Sequence, residues 1–251
     1  MFKLIFGISV LIGLGYILYD IVQVNKILFL DKSDTANFLY EDSDGYISKM
    51  SHLDLLARQS KSHKEYLIKA KQAALSFTTE QQDLIEKCFE NAFYYLRYIH
   101  KSKYINPDLL DTLKVRFAYV DMNYENGLPH TRENIIFLST NTLKQSKEQL
   151  TVTILHEFIH IYQRTYQKEF RDALLKEGYT IWRNRNQYPR IRSNPDLDEY
   201  IYIHPKGFIM VTIYETNSPK SISDVINPED FEYEHPNEEI AHQIANGYLK
   251  R

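Results

Sequence analysis

The sequence predicts a helix-rich α+β domain with a small sheet, carried behind one N-terminal membrane-spanning helix. Three observations predict it. Residues 4–19 carry no charge and are mostly Ile, Leu, Gly and Val. Two longer stretches, 78–100 and 146–166, repeat apolar residues at helical spacing behind capping signals. Between them, 114–121 and 134–139 are short runs dense in β-branched and aromatic residues.

An uncharged run from 4 to 19 is short of the about 20 residues a spanning helix needs. Letting Lys3 snorkel and Asp20 sit at the interface extends it to residues 2–24, which suffices. Tyr16, Leu18, Tyr19 and Asp20 offer no small-x-small cleavage site, so residues 1–24 are expected as an uncleaved membrane anchor. Lys3 and the amine on one flank, against mixed charges on the other, place the domain on the non-cytoplasmic side. Residues 25–60 hold short apolar patches interrupted by acidic residues and the Asp42-Ser43-Asp44-Gly45 turn, and are expected as a juxtamembrane connector. Residues 61–251 then form one domain, since roughly 200 residues suffice for a single core.

With 43% apolar and 25% charged residues the chain is globular rather than disordered. A net charge of −3 and the absence of a basic run with interleaved aromatics argue against a nucleic-acid partner. The one cysteine, Cys88, sits at helical spacing among Leu84, Ile85, Phe89, Ala92 and Phe93 and belongs to the core. It allows no internal disulfide and excludes a cysteine-ligated zinc site.

Along the domain, 63–75 suits a helix. Thr78 with Gln81 forms a capping box that opens the helix at 78–100. Strands are expected at 114–121 and 134–139, with Asn126-Gly127 a turn between them. Ser146, with Gln149 three residues on, opens the next helix. A further helix is expected at 170–183, a hairpin at 201–203 and 208–214 around His204-Pro205-Lys206-Gly207, and a last helix at 237–249 behind Pro236.

The chemistry lies in His156-Glu157-Phe158-Ile159-His160. On a helix, residues four apart share a face, so both imidazoles can reach one Zn²⁺. Glu157 then leans over the activated water as general base. Chance places such a pentapeptide in roughly 2 of 100 chains of this composition, and here it falls mid-helix. The bland alternative is two histidines on an ordinary helix. A catalytic zinc needs a third protein ligand and one open position.

The motif resembles the zincin metallopeptidases. Metzincins place Gly and then His where this chain has Gln163 and Tyr166, which leaves the gluzincins, whose third ligand is a Glu on a later helix. Asn237-Glu238-Glu239-Ile240-Ala241-His242 is similar to the Asn-Glu-x-x-Ser-Asp helix of thermolysin-like enzymes, although His242 stands where that family has Asp and the gap from His160 is longer. Lys176-Glu177-Gly178-Tyr179 resembles the Glu-Gly-x-Ala helix of aminopeptidase-like gluzincins, two residues short in spacing and with Thr180 for Ala. Glu239, His242 or an Asp are further possibilities. The wider pattern resembles His-Glu-x-x-His domains that include some encoded by large DNA viruses. The resemblance implies a zinc-dependent metallopeptidase with His156, His160 and Glu238 on the metal and Glu157 as base. It implies a peptide or protein substrate, with 134–139 as the edge strand that pairs with it. The competing expectation is a non-catalytic zincin-like protein at a membrane, in which zinc only fixes the fold.

Other residues carry smaller expectations. His130 is expected as a surface turn residue or a cleft residue. Tyr214 or His242 would serve as oxyanion donor. His204 and His235 are expected to be structural, 192–196 to be a helix-initiating turn with an Arg–Asp pair, and Trp182 to be core.

Overall fold

The computed structural model describes residues 27–229 and 231–250, and the expected anchor at 1–24 lies outside them. Among the described residues no helix is long and apolar enough to cross a membrane. The domain is a mixed α/β body with small sheets, as the sequence predicts.

Its centre is a sheet in the order β1 (Ile27–Phe29), β3 (Val115–Val120), β5 (Ile135–Ser139), β4 (His130–Arg132). A short β2 (Ala74–Leu75) pairs with the far end of β3. β1, β3 and β5 run parallel, and β4 returns antiparallel to β5. Side chains alternate across a strand, so β3 and β5 serve two cores at once. Val115, Phe117, Ile136 and Leu138 face α4 (Thr79–Tyr94) and α5 (Lys147–Thr165). Ala118, Val120, Ile135 and Phe137 face α1 (Lys32–Glu41) and α3 (His63–Gln72). A strand covered on both faces has to be apolar throughout, which accounts for Ile-Ile-Phe-Leu in β5.

Of the connector expected at 25–60, the described residues 27–60 instead supply β1, α1 and α2 (His52–Ala57) to this body. Leu30, Leu39, Ile47, Met50 and Leu55 are buried. The strand at 134–139 is likewise internal rather than an edge, because β4 covers its outer flank. Residues 126–127 do not join a hairpin: β3 and β5 are parallel, and the hairpin is β4–β5.

Where the sequence suggests a helix over 170–183, α6 (Gln167–Lys176) stops early and β6 (Thr180–Asn184) follows. Gly178 adopts φ +91° and breaks the helix, and Thr180 then pairs with Ile203 of β7 (Tyr200–Ile203). Trp182 is therefore on an exposed strand, 41% accessible, and not in the core. The expected hairpin forms between β7 and β8 (Ile209–Met210) around Gly207, φ +92°. Its second arm divides, and β9 (Ile213–Tyr214) pairs instead with β10 (Val225–Ile226). The chain closes with α7 (Pro236–Tyr248), packed on α5 through Ile240, Ala241, Ile244 and Ala245.

Candidate metal centre

Two helices build the site, and local chemistry fixes each. Ser146 caps α5 by accepting from the Gln149 N–H. Phe158 then docks against Phe89 and Phe93 of α4, ring centroids 5.1 and 6.1 Å away, which turns the opposite face of α5 outward. That face carries His156 and His160. His235 caps α7: its Nδ1 accepts from the Asn237 N–H at 3.1 Å while its Nε2 donates to Asp198 at 3.1 Å. Pro236 takes the first helical position, where no N–H is needed. Glu238 and Glu239 fall in the first turn, where the helix dipole favours acids. His235 is structural, as expected from the sequence.

The two imidazoles and one carboxylate converge. His156 Nε2 lies 2.9 Å from His160 Nε2, and Glu238 Oε2 is 3.3 and 3.7 Å from them. Donors on a tetrahedral zinc with bonds of about 2.0–2.1 Å stand about 3.3 Å apart. The three separations scatter around that value, and the donor types suit zinc, so this set fits the ion. The two Nε2 atoms stand within hydrogen-bond range, so without metal a proton is shared between them, and a cation in the pocket would take its place.

The surrounding charges match. Burial would drive the His160 imidazolium to release its proton, but Asp196, Glu238 and Glu157 outweigh burial and push its pKa up to about 10. Burial would raise the Glu238 carboxyl, yet His160 and His156 hold it well below the usual carboxylate range. Burial, with Asp196 and Glu238 close by, pushes Glu157 well above that range. Glu157 Oε2 is buried with no hydrogen-bond partner.

The sequence candidates separate cleanly. Glu177 ends α6 on the surface, ion-paired with Lys103, away from the histidines. Glu239 accepts from Tyr179 Oη at 2.9 Å and from Gln243 at 3.0 Å. Of these carboxylates, and among the described residues, Glu238 alone joins the two histidines. His242, one turn on, packs its ring 4.5 Å from His156 and lines the cleft. Tyr214 is excluded as an oxyanion donor: it is buried, donating to Asp54 at 2.9 Å. His130 is buried rather than on the surface, its Nδ1–H donating to the Leu128 carbonyl at 2.9 Å and its ring stacked on Phe137.

Residues 193–198 form a polar clasp that sequence reasoning missed, not a helix-initiating turn. Arg192 pairs with Glu234, not with Asp196. The Asn194 amide donates to Glu234 Oε1 at 2.9 Å and to Glu238 Oε1 at 3.0 Å. That occupies one Glu238 oxygen and leaves Oε2 towards the imidazoles. Asp196 Oδ1 accepts from the N–H and the hydroxyl of Thr131, both at 2.7 Å, and its carboxylate forms a second close grouping with Glu157 and His160. The Thr131 carbonyl accepts from Arg164. The true edge strand, β4, is thus already occupied at Thr131, and only residues 128–130 of that segment border open space. The Asn194-Pro195-Asp196 turn was visible in the sequence. Its partners, on β4 and α7, were not.

A cleft of about 550 Å³ leads to the site. Its walls include Val152 and His156 of α5, Ala245 of α7, Glu157, Ile222 and Val225. No protein family matches the chain, and no curated protein or solved structure matches it.

Proposed function

We propose that this chain is a zinc-dependent metallopeptidase, with His156, His160 and Glu238 as the ligands of one Zn²⁺ and Glu157 as general base. The observation that carries this is the convergence of Glu238 Oε2 on the two Nε2 atoms at the head of a cleft. When bound, zinc would supply a Lewis acid for the scissile carbonyl and would acidify a water towards pKa about 7.

The side chains divide the remaining work. Glu157 Oε2, free of partners, accepts a proton from the attacking water and returns it to the leaving amine. His242 would donate to the developing oxyanion, a role supported by its position on the cleft wall one turn beyond Glu238. Asn194 holds Glu238 in orientation, which limits reorganisation during turnover. The substrate is a peptide or protein segment lying along the cleft against residues 128–130. The uncharged run at 4–19 supports tethering to a membrane, with the domain on the non-cytoplasmic side.

A purely structural zinc site is closed by four protein donors. Among the described residues the grouping has three donors and adjoins open space, which favours the enzyme. The test is zinc removal and restoration. Dialysis against a chelator should abolish cleavage of unstructured peptides, and one equivalent of Zn²⁺ should restore it. Glu238→Gln should purify without stoichiometric zinc. Full cleavage by the metal-free chain would refute the proposal.

A further inference from the structure

Gln163 lies one turn beyond His160 and is 2% exposed. Its amide spans the two helices: Nε2 donates to the backbone carbonyl of Asn237 at 3.0 Å, and Oε1 faces His160 Nδ1 at 2.8 Å. These two contacts leave little freedom. The Asn237 carbonyl can only accept, so the NH₂ end of the amide must point to it. Oε1 must then face His160, and Nδ1 must carry the hydrogen. As a metal ligand the imidazole is neutral and keeps one N–H, so Nε2 is left with its lone pair, aimed at His156 and Glu238. Asn237 directly precedes Glu238, so the same amide also ties the backbone of the third donor to the helix bearing the first two.

We infer that Gln163 is a positioning residue: its side-chain oxygen fixes the His160 tautomer that binds metal, and the Asn237 carbonyl fixes which end of the amide does so. The inference rests on the metal-site reading above. Partners of a ligating histidine are typically worth 10–100-fold in metal affinity.

The experiment measures Zn²⁺ dissociation constants by chelator competition, with the melting temperature of each metal-free chain recorded alongside. Gln163→Leu, which can neither donate nor accept, should bind Zn²⁺ about 10–100-fold more weakly than wild type. Gln163→Glu keeps both contacts as the protonated acid, its carbonyl oxygen accepting from Nδ1–H and its hydroxyl donating to the Asn237 carbonyl, so it should stay near wild-type affinity. If Gln163→Leu lowers only the metal-free melting temperature and leaves the Zn²⁺ constant unchanged, the residue is structural and the inference fails. Should the Leu variant not fold, Gln163→Glu decides alone: a loss of 10-fold or more in affinity overturns the inference. A wild-type chain that binds no Zn²⁺ overturns the metal-site reading itself, a result distinguishable from either variant outcome.

Discussion

Glu157→Gln is expected to lower peptide hydrolysis by roughly 10²–10⁴-fold while the protein keeps its zinc. The two halves of this expectation come from different atoms. Glu157 is outside the set formed by His156, His160 and Glu238, so the metal has no ligand to lose. Its Oε2 is buried and unpartnered, so the amide replaces a carboxylate of the same shape without breaking a hydrogen bond there. Burial and the neighbouring Asp196 and Glu238 raise the affinity of Glu157 for a proton, in keeping with the base role proposed for it. Steady-state kinetics on zinc-quantified protein checks the result. Wild-type rates in this variant would mean that another residue acts as base.

The second large effect concerns folding. Arg58 is buried behind the cleft and meets Glu125 through two bonds, Nε to Oε1 at 2.9 Å and a terminal nitrogen to Oε2 at 2.6 Å. The same guanidinium reaches Tyr46 Oη at 2.8 Å and the Asp54 carbonyl at 3.2 Å, and Tyr66 Oη donates to Glu125 at 2.7 Å. Glu125 and Asn126 both hold positive φ, +46° and +52°, a strained turn that persists because these bonds over-determine it. Arg58→Met leaves Glu125 and Asp54 buried without their cation, which costs about 3–5 kcal/mol. Urea midpoints should fall accordingly, and adding Glu125→Gln should recover part of the loss.

The same pair sets an acid limit. Burial alone would raise the Glu125 carboxyl, but Arg58 outweighs it and holds the pKa at about 2, against an ordinary 4.5. A carboxyl depressed in the folded state stabilises at pH above its unfolded value and loses that contribution as pH falls towards 2. The wild-type midpoint should therefore decline from about pH 4.5 downward, and the decline should be shallower in Glu125→Gln.

Much of the site was legible because its signals are local. The capping box at Thr78 and Gln81, the periodicity of α4 and α5, and Pro236 before α7 all act within a few residues, and those helices appear where expected. His156, Glu157 and His160 depend only on helical spacing. Glu238 needed the gluzincin resemblance, and the geometry groups it with the histidines. What was illegible depends on distant partners. β1 is three residues long and exists because Ile27–Phe29 pairs with β3. Arg132, in a short polar stretch, is buried because Asp42 and Asp44 reach it from 90 and 88 residues away. Asp196 joins the site through Thr131, 65 residues earlier. The membership of residues 27–60 in the domain failed for the same reason: their apolar positions are sparse, and only the sheet and α3 give them a surface to bury against.

The most direct measurement is zinc K-edge absorption spectroscopy on purified protein with its metal content known. One zinc per chain is expected, with four light-atom ligands at about 2.0–2.1 Å, two imidazoles among them, and a carboxylate that disappears in Glu238→Ala. Sub-stoichiometric zinc, or a coordination shell unchanged by removing Glu238, would contradict it.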